Sequence, residues 1–162
     1  STIAASQANT VDGGSSITEI GSQGSLGVAG LNLLVGTEEI KGDNTASDVQ
    51  NDVLSVSYTT GPVAVGFTVR SKDDGSVSTS LAEETNVYSI AYAISKDLSV
   101  SYENSTVKFE GSSKTDAEYD QVSIGYNFGG LGVSLDYVQA ENVAGSSTDD
   151  REAIQIRTVY AF

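Results

Sequence analysis

Five charged residues share a strand parity that sets them on one side of a sheet. Arg70, Arg151 and Arg157 stand against Glu103 and Asp136, with Glu38 less regularly placed. Guanidinium and carboxylate groups on one wall can do two things. They can neutralise one another as ion pairs, or, left open to water, they can set a transverse field that biases which ions approach. Both signs are present, so residue type alone decides no net preference. Bond-making chemistry is a poorer fit. The chain has no histidine and no cysteine, which excludes Ser–His–Asp and Cys–His nucleophilic sites, His-bearing zinc sites, thiolate metal sites and disulfides. We expect a protein that is not an enzyme and holds no cofactor.

Those side chains need elements to hold them, and a length of 162 residues suits one domain. The 22 acidic and 8 basic side chains give a net charge of −14. A surface of that sign repels phosphate backbones, so nucleic acid is not expected as a partner. No apolar run approaches the ~20 residues of a membrane helix. Averaged over its length, the composition is that of a soluble, acidic, secreted protein. Methionine is absent as well, so the chain is expected to be a processed mature protein or a fragment. Residues 1–25 read as a small, polar, glycine-rich segment, or as the end of a preceding strand over Ser16–Ile20 before a Gly21–Ser25 turn.

From Leu26 onward apolar and polar residues alternate, the period of strands with two unlike faces. Ile154, Ile156, Thr158, Tyr160 and Phe162 oppose Arg151, Ala153, Gln155, Arg157 and Val159. Tyr88, Ile90 and Tyr92 oppose Ser89 and Ala91, while Val63, Val65 and Phe67 oppose Ala64, Gly66 and Thr68. Eight strands are predicted over residues 26–162, at roughly 26–41, 52–60, 63–72, 86–94, 98–110, 118–128, 131–142 and 151–162. Thr60–Gly61–Pro62, Ser95–Lys96–Asp97 and Gly129–Gly130 are tight turns, and longer loops near 42–51, 73–85, 111–117 and 143–150 alternate with them. Short turns at one end and long loops at the other describe an all-β, transmembrane, antiparallel up-and-down β-barrel. Soluble sandwiches scatter loop lengths over both ends.

Seventeen of the 22 acidic residues fall in the long loops or their flanks, and Asp97 is the only one in a short turn. Glu38, Glu39, Asp43, Asp48 and Asp52 begin the series, and Glu141, Asp149, Asp150 and Glu152 end it. Clustered carboxylates suit diffuse bridging by divalent cations. No segment has a complete EF-hand spacing, so no defined metal site is expected. Tyr58, Phe67, Tyr92, Tyr126, Phe128, Tyr160 and Phe162 lie near the short-turn end, mostly on the apolar face. An aromatic girdle at a membrane interface has that placement; the alternative is a row of aromatics in a sandwich core.

Two stretches resemble the general porins of Gram-negative bacteria, the alphaproteobacterial type above all. They are the final strand Ala153–Phe162, ending Thr158-Val159-Tyr160-Ala161-Phe162, and the preceding hairpin Ser123-Ile124-Gly125-Tyr126-Asn127-Phe128-Gly129-Gly130-Leu131. The resemblance implies a bacterial outer-membrane location, contact with membrane lipid and lipopolysaccharide, a homotrimer, and an assembly signal in Tyr160 and Phe162. It implies a water-filled channel for passive diffusion of small hydrophilic solutes and ions. In such a channel Arg70, Glu103, Asp136, Arg151 and Arg157 would be the pore-lining charges. General porins have sixteen strands on about twice this length, so the chain is expected to be the C-terminal half of one, in preference to a complete small barrel. Its tiny inward residues agree, because Ser, Gly and Ala would leave voids in a closed eight-stranded lumen. The competing expectation is a small structural or adhesive barrel that binds partners through its acidic loops, or a secreted soluble β-sandwich.

Overall fold

The computed structural model describes residues 2–9, 16–24, 27–41, 48–73, 83–110 and 113–160. β-Branched and aromatic residues at every second position favour extended backbone, which sends successive side chains to opposite faces. Ten strands result among the described residues: β1 (Thr2–Asn9), β2 (Ser16–Gly24), β3 (Leu31–Lys41), β4 (Val49–Thr60), β5 (Val63–Asp73), β6 (Glu83–Ala93), β7 (Leu98–Phe109), β8 (Ala117–Asn127), β9 (Leu131–Glu141) and β10 (Arg151–Tyr160). They form one up-and-down antiparallel sheet in chain order. A short 3-10 turn, Val143–Gly145, is the one helical element among the described residues. No helix there is long and apolar enough to cross a membrane, which says nothing of strands.

β3–β10 correspond to the eight alternating segments, with two departures. The first of them starts at Leu31, five residues later than the alternation predicts. Gly27 and Gly30 take φ values of +77° and +82°, and the Leu31 amide donates to the Val28 carbonyl at 3.1 Å, so the chain turns there before it extends. The second departure is N-terminal. Residues 2–24 hold two strands, paired from Thr2↔Gln23 to Asn9↔Ser16, and β2 runs on through Gly21 to Gly24 where a turn was predicted. Strand pairing is made by backbone N–H and C=O groups, so it proceeds where apolar alternation is weak. Phe162, Asp43 and Asp74 lie outside the described residues.

Strands β3–β10 run 10 to 12 residues. Strands of globular proteins are usually about 5–6 residues, whereas a tilted strand needs about 9–11 to cross a bilayer. The described residues also place no second layer on the sheet. Among the described residues Ala117 and Ala140 are the only buried hydrophobic side chains, and twenty large ones are exposed. A sandwich requires a second sheet packed on the first, and here every described strand belongs to one. At the β8–β9 hairpin Gly129 and Gly130 take φ values of +64° and +119°, and the Phe128 amide donates to the Leu131 carbonyl at 2.7 Å. Two successive positive φ values let a two-residue turn follow the strand twist, which explains the glycine pair.

Candidate functional site

Register sorts the sheet into two unlike faces. On one, Leu31, Tyr58, Val65, Ile90, Tyr102, Val122, Tyr137 and Ile154 stand opposite one another from β3 to β10 in a continuous apolar row. On the other, Ser57, Gly66, Ser89, Glu103 and Gln121 form one row. Ala64, Ala91, Ser101, Ser123, Asp136 and Gln155 form the next. These small side chains leave a concavity of about 310 Å³, in which Glu103 is the one charged side chain of the lining.

All five charges singled out in the sequence register to this polar face, but they differ in what they touch. Asp136 is 1% exposed, and its Oδ2 accepts from Arg157 Nε at 2.9 Å, with Arg157 Nη2 also at 2.9 Å. This pair joins β9 to β10 diagonally, since Arg157 stands in register with Ser134. Arg151 is engaged at the long-loop end of its strand. Its Nη2 and Nε donate to Asp149 at 2.6 and 2.8 Å, in the loop before β10. That hydrogen bonding holds the Asp149 carboxyl below the ordinary carboxylate range. Arg70 and Glu103 make no ion pair or side-chain hydrogen bond with a described residue. Glu38 accepts from Asn51 Nδ2 at 2.7 Å.

Arg157→Ala is expected to destabilise the fold more than Asp136→Asn. Removing the guanidinium leaves a covered carboxylate uncompensated, whereas the amide at 136 needs no counter-charge. The sheet is a single layer with Arg157 half in solvent, so the loss is about 1–3 kcal/mol. Urea titrations of the two variants in detergent check the order.

The aromatic residues also divide. Tyr58, Tyr92, Tyr126, Phe128 and Tyr160 lie beside the short turns and are exposed, with the Tyr126 and Phe128 ring centroids 4.3 Å apart. Phe67 sits farther along its strand, opposite Val56 and Tyr88, with its ring centroid 4.8 Å from that of Tyr88. Tyr88, Tyr102 and Tyr137, outside the predicted girdle, are exposed on the same face farther toward the long loops. The Tyr102 hydroxyl donates to Asp120 Oδ1. Beyond them the apolar face ends in polar contacts: Asn104 Nδ2 donates to Glu118 at 2.9 Å, and Lys108 Nζ to Glu84 at 2.9 Å. The parity of these tyrosines was visible in the sequence. Their depth relative to neighbouring strands follows from register.

At the long-loop end two loops are joined. Lys114 Nζ donates to the Ala144 carbonyl at 2.8 Å, the Thr115 amide to Gly145 at 3.2 Å, and Asn142 Nδ2 to the Asp116 carbonyl at 3.2 Å. Among the described residues no group of three or more potential metal ligands is drawn together. Compared with protein-family models, curated proteins and solved structures, the chain matches none.

Proposed function

We propose that the sheet forms wall of a transmembrane β-barrel in the bacterial outer membrane, and that the barrel serves as a porin-type, water-filled channel for passive diffusion of small hydrophilic solutes and ions. One observation carries this reading: a single-layer sheet with an exposed apolar face opposite a face of small polar residues. In water those apolar side chains have nothing to cover them. In a bilayer the lipid tails do so, and the backbone must be satisfied by ladders on every strand. β1 and β10 run in opposite senses, so an antiparallel barrel can be completed either between their outer edges or through further strands. Closure removes both edges, as a strand in hydrocarbon demands. Tyrosines toward both ends of the apolar face fit the two interfacial belts of such barrels.

The mechanism needs no reacting group. Ser, Gly and Ala keep the passage wide, hydroxyls keep it wet, and the long acidic loops crown one mouth. The association into homotrimers and the contact with lipopolysaccharide belong to the same reading. Purified, refolded chain in a planar bilayer is expected to give stepwise conductance increments. Silent bilayers from correctly folded assemblies, or a chain that stays soluble and monomeric without detergent, would overturn the channel.

A further inference from the structure

We propose that Glu103 sets the ion preference of this passage, and that the preference is for small cations; this rests on the channel reading above. The types of the five wall charges decide nothing, but their contacts do. Asp136 is neutralised by Arg157 at 2.9 Å, and Arg151 is tied to Asp149 at 2.6 Å in a loop. Arg70 and Glu103 remain, and they are not equivalent.

Arg70 lies three residues from the end of β5, at the long-loop rim. There water and salt screen a single guanidinium more than they screen a charge along the wall. Glu103 sits in the interior of β7, with Ser89 and Gln121 directly opposite on its two neighbours. It is the only charged side chain lining the 310 Å³ concavity, and no described residue pairs with it. Ser57, Ser89, Ser101 and Ser123 bring neutral oxygens to the same lining. A carboxylate without a counter-charge, set among oxygens able to replace hydration water, draws cations inward and turns anions back. The negative rim and the net charge of −14 act in the same direction over longer range.

A unit charge about 7 Å from an ion's path through water changes the local concentration of a monovalent ion about threefold. Planar bilayers holding the refolded chain under a potassium chloride gradient give the reversal potential, hence the permeability ratio. Wild-type channels are expected to prefer potassium. Glu103→Gln and Glu103→Ser, each checked for folding by heat-dependent gel mobility, are expected to lower the ratio about ninefold, threefold through each ion, and Glu103→Asp to retain it. Arg70→Gln is expected to change it less than Glu103→Gln. Anion preference in the wild type, an unchanged ratio in both neutral variants, or a larger effect at Arg70 overturns the assignment while leaving the channel standing. No conductance from folded wild type overturns the channel itself, and the ion preference with it.

Discussion

Ile90→Arg is expected to prevent recovery of folded chain in lipid vesicles, while Ala91→Arg, the next residue along β6, leaves assembly intact and reduces the unit conductance. The two side chains point to opposite faces. Ile90 sits in the apolar row between Val65 and Tyr102, and Ala91 faces Ala64 and Ser101 on the polar side. A charge on the lipid face near the bilayer centre costs about 2–4 kcal/mol, a large part of what holds an ordinary domain together. The same charge on the polar face stays in water and only narrows the passage. The contrast separates membrane from water as the surroundings of the apolar face. Ile90 is 49% exposed, so in a protein surrounded by water the arginine would be tolerated there, as at most surface positions. Urea titration in vesicles reads assembly and single-channel recording reads conductance. Equal tolerance at the two positions would sink the membrane-spanning reading.

Gly30→Ala is expected to cost about 2–4 kcal/mol, and Gly27→Ala only about 1–2. Both glycines hold left-handed backbone, at φ +82° and +77°, so both variants incur the penalty of a side chain in that region. The surroundings separate them. A Cβ on Gly30 would stand 2.0 Å from the Thr59 carbonyl oxygen, while one on Gly27 would meet nothing within 4 Å. The contact at Gly30 is with backbone that cannot turn aside. The Gly30 carbonyl accepts the Thr59 amide at 2.9 Å, so yielding would pull apart the β3–β4 ladder at its start. Denaturant midpoints of the two variants in detergent measure the difference, and equal losses would show that the close approach to Thr59 carries no weight.

How far the site could be read from sequence varied residue by residue. The parity of Glu103 and Asp136 was plain, since each lies inside a clear alternating run. Their unlike states were not. Asp136 meets a guanidinium two residues off its direct partner on β10, and no local pattern distinguishes that contact from a solvated carboxylate. Arg151 shares the polar parity, yet an acceptor two residues back in the loop captures its guanidinium. The N-terminal pair β1 and β2 escaped the alternation because residues such as Gly21, Ser22 and Gln23 offer backbone to a ladder while presenting no apolar stripe. The start of β3 was misplaced because Gly27 and Gly30 sit inside what looks like a continuing strand until their φ values are known.

What the sequence determined by itself was therefore everything that depends on adjacency. Side chains alternate across a strand whatever its partner, so two faces, one apolar and one small and polar, were implicit in the order of residues. The alternation of tight turns with long acidic loops and the want of histidine and cysteine were likewise present in the chain. Only the tertiary structure decided the number of strands, their union in one uncovered sheet, and which wall charges are neutralised. These depend on register between strands, and register is set by backbone and side-chain contacts among residues far apart in the chain.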